Sequence, residues 1–283
     1  MKLPFIFAKR FVAGESFDES IPKAKELNKK DLKLTLDLLG ENVKDRQTAT
    51  DTVDSYIRLL EGIKEHGLIS SISIKLTMMG LDIDADFCRD NLFKLLDVAK
   101  AQDQFVRIDM ESSDHTQVTL DIFKEAFETY GKHVGTVIQS MLHRSHDDIN
   151  ELAEMGADIR LVKGAYNESS KIALQNMPDI REAFKEQAKV LLDKTPFPRF
   201  GTHDDELLDW LKAYTEENDI AKDRFEFQML YGLREETMVQ LTDDGYHARV
   251  YVPFGTDWFP YFTRRLAERK ENIWFVLSTM FKK

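Results

Sequence analysis

Eight short apolar segments rich in β-branched residues recur along the chain, and helical segments of ordinary length separate them. They begin with Leu34-Thr-Leu-Asp-Leu-Leu-Gly40, Ser71-Ile-Ser-Ile-Lys-Leu76 and Phe105-Val-Arg-Ile-Asp-Met110, and continue over 134–139, 159–164, 199–203, 225–230 and 249–252. Between them lie helical stretches such as Tyr56-Ile-Arg-Leu-Leu60, Asn91-Leu-Phe-Lys-Leu-Leu96, 180–192 and 205–214. Parallel strands need a crossover of about a dozen residues, so this spacing marks βαβ units. Eight units suggest a closed (β/α)8 TIM barrel. An open doubly wound sheet is the alternative, and it would usually carry a glycine-rich phosphate turn after its first strand. Here that strand runs into Leu39-Gly-Glu-Asn-Val43, with no GxGxxG, so the barrel is favoured. A polar helical pattern over 16–30 precedes the first strand as an N-terminal helical extension. No low-complexity run or composition shift divides the 283 residues, which fits one domain over 1–283.

The formal net charge of −11 argues against a nucleic-acid partner and makes any local basic cluster informative. The single cysteine, Cys88, excludes an internal disulfide and a multi-cysteine metal site. No apolar run approaches the length of a membrane span, and Met1-Lys-Leu-Pro-Phe-Ile-Phe-Ala8 lacks the apolar core and cleavage site of a signal peptide. The apolar stretch Ile273-Trp-Phe-Val-Leu277 is too short to span and is expected to pack on the barrel. A cytoplasmic protein is expected.

In barrels of this type function gathers where strands end and βα loops begin. Those ends carry Lys75, Asp109 with Glu111, Gln139, Arg160 with Lys163 and Gly164, Thr202 with His203, Glu226 with Gln228, and Tyr251. Each has a bland alternative. Lys75 and Asp109 fit a structural salt bridge, Arg160 a barrel-layer charge on Asp109, and Glu226 a partner for a buried backbone group or an arginine. His203 has no second histidine or cysteine at ligand spacing, and no metal site is expected. Beyond the last strand, Arg249-Val-Tyr-Val-Pro-Phe-Gly255, in which Pro253 and Gly255 read as its end, a helix is expected with Asp257 near its cap and Pro260 in its first turn. At 100° per residue Tyr261, Arg264, Arg265 and Glu268 share one face, and Trp258, Phe262 and Leu266 another. Two adjacent guanidiniums repel and call for an anion, the alternative being a solvated face with Glu268 as partner. Lys75, Arg160, Lys163, Arg264 and Arg265 together put five cations at one mouth of an acidic chain. These residues alone point to a barrel enzyme that binds anionic ligands.

The run Ile159-Arg-Leu-Val-Lys-Gly-Ala-Tyr-Asn-Glu168 resembles the proline dehydrogenase family, as do Arg249-Val-Tyr-Val-Pro-Phe-Gly255 and Tyr261-Phe-Thr-Arg-Arg-Leu-Ala-Glu268. Shorter matches are Arg10-Phe-Val-Ala-Gly-Glu15, Leu38-Leu-Gly-Glu41, Ser73-Ile-Lys75, Arg107-Ile-Asp-Met-Glu111, Gly201-Thr-His203 and Phe225-Glu-Phe-Gln228. They cover nearly the whole chain, in order. One departure is Asp31, just before the first strand, where the family pattern suggests glycine. Because the chain stops at Lys283 instead of continuing into an aldehyde dehydrogenase, it looks like a stand-alone bacterial form.

The resemblance implies FAD held noncovalently in a distorted (β/α)8 barrel, with the last helix above the barrel mouth. It implies oxidation of L-proline to 1-pyrroline-5-carboxylate, the first step of proline degradation to glutamate. Electrons would pass to a quinone, with peripheral association at the inner face of the cell membrane left open. Carried over residue by residue, Arg264 and Arg265 grip the substrate carboxylate with help from Lys75, and Tyr251 and Tyr261 wall the pocket with Leu230 against the ring. Met110, Gln139, Arg160, Lys163, Gly164, Ala165, Thr202 and His203 match flavin-contacting positions. Asp109, beside Lys75, matches a functional carboxylate and with Arg160 is expected to serve the chemistry. A forked arginine pair suits a carboxylate, and a cation such as Arg160 suits the negative charge a flavin gains on reduction. Asp109, Lys75 and water all stand as acceptors of the amine proton. Two other readings are a lyase using Lys75 or Lys163 as a Schiff-base amine, and a scaffold whose basic mouth recruits an acidic partner.

Overall fold

The computed structural model describes residues 4–268, with side chains through Arg265. The strand–helix alternation closes on itself. Strands β1 (Lys33–Leu38), β2 (Ser70–Ile74), β3 (Val106–Ile108), β4 (Val134–Gln139), β5 (Asp158–Val162), β6 (Arg199–Gly201), β7 (Glu226–Leu230) and β8 (His247–Phe254) form a parallel barrel in sequence order. Closure is the β1–β8 ladder, from Lys33↔Arg249 to Leu38↔Phe254. Leu34, Leu36, Ile72, Ile74, Val250 and Val252 are fully or almost fully buried in the main apolar cluster.

The helices are α1 (Phe17–Asn28), α2 (Arg46–Glu65), α3 (Ala85–Ala101), α4 (Ser113–Tyr130), α5 (Ser145–Glu154), α6 (Met177–Lys194), α7 (Asp205–Glu217), α8 (Glu235–Asp243) and α9 (Trp258–Glu268). Their starts are chemically marked. Ser16, Asp45, Asp84 and Asn176 each accept from a backbone N–H three residues on, filling donors that a helix start leaves open. Helix α1 is the expected N-terminal extension and packs on β1 and β8.

Several strands stop earlier than their apolar patterns do. β2 ends at Ile74, β3 at Ile108, β5 at Val162 and β6 at Gly201, so that Lys75, Asp109, Lys163 and Thr202 sit just past the ladder. β8 departs in the other direction and runs through Pro253 to Phe254. Its pairing with β7 has already ended at Leu230↔Tyr251. On that vacated side the Pro253 carbonyl accepts from Ala13 N at 2.9 Å, so a missing N–H costs no ladder bond. Asp31 stands at φ 57, the left-handed conformation for which glycine is the usual choice and which Asp tolerates better than most residues.

Two packing features position the site. At the N-terminal end of the strands Asp158, Arg199 and Glu226 begin β5, β6 and β7 and form an ion-pair layer with Arg107 and Arg249. Glu226 is therefore a buried arginine partner at the barrel base, not a group at the mouth. Separately, Ala8, Phe11, Val12, Leu39 and Leu233 form a second apolar cluster with Trp258, Tyr261 and Phe262 of α9. The N-terminal segment thus seats the last helix. No helix among the described residues is long and apolar enough to cross a membrane. Cys88 is buried, and burial pushes its thiol up to about 12, so it is inert.

Candidate active site

A cavity of about 990 Å³ opens at the C-terminal ends of the strands beneath α9. That is the upper end of the range for small-molecule pockets. The residues expected to hold substrate or flavin or to serve the chemistry line it: Lys75, Asp109, Met110, Gln139, Arg160 and Lys163, then Gly164, Ala165, Thr202, His203 and Leu230, and finally Tyr251, Tyr261, Arg264 and Arg265, whereas Glu111 and Glu226 of the strand-end groups do not. Short strands and flanking βα loops explain the convergence, since most candidates lie at or just past a strand end or on the helix that follows β8, with Arg160 and Tyr251 inside β5 and β8.

The floor is a hydrogen-bonded cluster centred on Asp109. Its Oδ1 accepts from Ser73 Oγ at 2.7 Å and lies 3.3 Å from Arg160 Nη2, while its Oδ2 accepts from the Tyr251 hydroxyl at 2.7 Å. Arg160 also donates to Ser73 Oγ at 3.0 Å, and its guanidinium lies 5.5 Å from the Tyr251 ring centre. Lys75 pairs closely with Asp37 at 2.8 Å and only loosely with Asp109 at 3.9 Å. The structural salt bridge weighed for Lys75 is thus made chiefly with a different carboxylate. Burial alone would lower the Lys75 pKa, but the charges of Asp37 and Asp109 outweigh it and hold the ammonium well above the usual lysine range. Burial, then the neighbouring carboxylates Asp109 and Asp37, push the Tyr251 phenol well up, so it stays a donor.

Asp37 escaped the sequence reading, although a signal was present. In Leu34-Thr-Leu-Asp-Leu38 the leucines alternate with polar residues, which puts Thr35 and Asp37 on the barrel interior. A carboxylate there demands a cation. Glu41, Tyr166, Arg181 and Asp204 were also missed and also line the cavity. They lie on loops or at a helix start, where no periodicity reports direction.

Helix α9 forms the roof. Arg264 Nη2 is 2.6 Å from Glu41 Oε1, in the loop after β1. Arg265 is 8 % exposed, and its guanidinium lies 5.1 Å from the Tyr261 ring centre. The opposite face carries Trp258 and Phe262 into the second apolar cluster, which Tyr261 joins as well. The side chains of Leu266 and Glu268, and the stretch 273–277, lie outside the described residues.

The wall formed by β4 to β6 is shaped for a larger ligand. Gln139 Nε2 donates to the Glu111 carbonyl at 2.8 Å, and Lys163 and Arg181 converge on Asp204 at 2.7 and 2.9 Å. His203 Nε2 accepts from Leu230 N at 3.0 Å. Gly164 holds φ 115, which L side chains rarely adopt, and a Cβ there would come 2.5 Å from Met141 Sδ and oblige that side chain to shift. Arg160 Nε is buried with no hydrogen-bond partner. A cationic edge, a bare backbone cradle and an open buried donor fit a flavin nucleotide.

The proline dehydrogenase family model matches residues 20–277. The chain belongs to the proline dehydrogenase family. Proline dehydrogenase 2 of Bacillus subtilis (strain 168) is 41 % identical over 278 residues, covering 98 % of this chain and 91 % of that protein. Proline dehydrogenase of Deinococcus radiodurans is 37 % identical over 97 % of this chain and 90 % of its own length. Among solved structures, proline utilization A from Bdellovibrio bacteriovorus inactivated by N-propargylglycine superposes with a TM-score of 0.85 at 28 % identity. That match covers 93 % of this chain and 33 % of the larger one. Proline dehydrogenases are FAD-dependent oxidoreductases of proline catabolism, and the cavity is built accordingly.

Proposed function

We propose that this proline dehydrogenase binds L-proline between the Asp109 cluster and α9, with FAD along the β4–β6 wall, and oxidises it to 1-pyrroline-5-carboxylate. The observation that carries the assignment is the gathering of Lys75, Arg160, Arg264 and Arg265 at one end of the cavity, among Asp37, Asp109 and Glu41. A cluster of cations that includes adjacent guanidiniums suits a ligand carboxylate. Arg264 and Arg265 clamp that carboxylate and Lys75 reaches it from the floor, so the ring is oriented by ionic contacts at one end only. Tyr251, Tyr261 and Leu230 wall the apolar ring and exclude water. Bound FAD supplies the hydride acceptor. Gln139, Lys163, Gly164, Ala165, Thr202, His203 and Met110 hold it, and Arg160 presents positive charge to it. Asp109 ties Arg160 and Tyr251 together as an electrostatic organiser.

The Schiff-base alternative is disfavoured because Lys75 and Lys163 are each held in a close ion pair, at 2.8 and 2.7 Å. The reading extends to a single domain over 1–283 in the cytoplasm, with electrons leaving to a quinone through peripheral contact with the cell membrane. Quinone-analogue reduction and vesicle co-sedimentation test those two extensions. The central test is the visible spectrum of the purified protein. Flavin absorbance should be present and should bleach anaerobically on adding L-proline. A colourless preparation that FAD does not reconstitute, yet which oxidises proline, would sink the assignment.

A further inference from the structure

We propose that Asp37 is a positioning residue that fixes the Lys75 ammonium in the substrate cavity, making Lys75 a standing cation for the carboxylate and removing it as acceptor of the amine proton. The inference rests on the proline reading and deepens it. Its basis is geometric. Asp37 is 1 % exposed, and its Oδ1 lies 2.8 Å from Lys75 Nζ. Its cross-strand neighbours in register are Ser73 and Pro253, neither of them ionisable. The other nearby carboxylate, Asp109, is 3.9 Å from Lys75 and is already engaged by Ser73, Tyr251 and Arg160.

The groups facing Lys75 come from several elements: Asp37 from β1, Tyr56 from α2, Asp109 and Glu111 after β3, and Tyr166 after β5. Burial raises the Tyr56 and Tyr166 phenols, which stay neutral, and raises Glu111, whose carboxylate is taken by Thr77 N and Oγ1. Of the two carboxylates paired with Lys75 among the described residues, Asp109 also pairs with Arg160, whereas Asp37 pairs with Lys75. Without its charge, Lys75 and Arg160 would share Asp109 alone, in a cavity that also contains Arg264 and Arg265. An ammonium so placed gives up its proton more easily.

The test uses the full-length holoenzyme and the isosteric Asp37→Asn variant, with flavin content checked. The ratio of variant to parent kcat/KM for proline is followed from pH 6 to 10. A loss of less than about threefold at pH 6 that grows beyond about tenfold by pH 9 is expected, because low pH restores the ammonium. A second readout needs no turnover. Acetic anhydride acylates an amine only in its deprotonated form, so Lys75 acetylation is followed by mass spectrometry against Lys132, whose side chain is 77 % exposed. Lys75 should resist in the parent to pH 9 and react in the variant, with Lys132 alike in both. A defect that is constant with pH, together with unchanged Lys75 labelling, would make Asp37 merely structural and overturn the proposal. If the variant does not fold, labelling of the parent decides: resistance supports the proposal, and Lys75 reacting in step with Lys132 rejects it. Absence of any proline oxidation by the parent would instead reject the function, while the labelling comparison would still stand.

Discussion

Arg264 and Arg265 are neighbours in sequence but not in environment, one 38 % exposed at its side chain beside Glu41, the other 8 % exposed under the helix. Truncating one partner of a desolvated charge pair costs about 2–5 kcal/mol, or roughly 30-fold to several-thousand-fold in apparent binding. Arg265→Met should show that full loss in kcat/KM for proline, and Arg264→Met a smaller one. Arg265→Lys should not restore it, because an ammonium lacks the fork. Pyrrolidine, which has no carboxylate, should show little defect in either variant. Equal defects for both compounds would reject carboxylate recognition by this pair. At Gly164 the constraint is backbone. An alanine there would hold φ 115 and meet Met141 at 2.5 Å. Gly164→Ala should cost about 1–3 kcal/mol and lower the flavin-to-protein ratio. An unchanged Tm and flavin content would show that nothing needs the bare backbone. All three residues were legible as candidates, the arginines from a charge pair and Gly164 from its place after the fifth strand as well as from a resemblance. Asp37 was legible only as an interior carboxylate, because its partner is a lysine 38 positions away.

At the scale of elements, α9 matters most, since it brings Tyr261 and both arginines to the cavity. Its stripe of Trp258 and Phe262 packs on Phe11 of the N-terminal segment, the Phe11 and Phe262 ring centres lying 6.3 Å apart. Phe11 is 0 % exposed, and a Phe-to-Ala truncation in a core typically costs about 3–5 kcal/mol. Because this cluster seats the roof and not the flavin wall, Phe11→Ala should raise KM for proline several-fold while flavin content holds. Steady-state kinetics beside the absorbance ratio measure both. Loss of flavin with KM unchanged would mean that the N-terminal segment serves the wall instead. The helix and its two faces were readable from 100° periodicity. That its apolar face meets residues some 250 positions upstream was not.

For the whole molecule, the ion-pair layer at the barrel base ties stability to pH. Burial would raise Asp158 and Glu226, but Arg107 and Arg199 hold Asp158 at about 2, and Arg249 and Arg199 hold Glu226 well below the carboxylate range. A native pKa below the unfolded one stabilises the fold fully above the unfolded value and loses that contribution as pH falls through the native value. For Asp158, moved from 3.8 to about 2, the contribution is ~2–3 kcal/mol, lost as pH falls from about 4 to about 2. Urea midpoints should therefore drop steeply over that window. Asp158→Asn should be less stable at pH 6 yet flatter with acid. A parallel decline in both proteins would remove the layer from the account.

The sequence by itself determined the alternation, and with it eight parallel strands, a barrel favoured over an open sheet and a set of polar groups at strand ends. Period-2 and 3.6-residue patterns are local, so they survive without knowledge of partners. Tertiary structure alone decided which charges meet: Lys75 with Asp37, Arg264 with Glu41, and Glu226 with the arginines at the base. It also let β8 run through Pro253, because β7 had already ended on that side. These pairings depend on ladder register and on barrel closure, which join residues distant in the chain, and no local pattern encodes them.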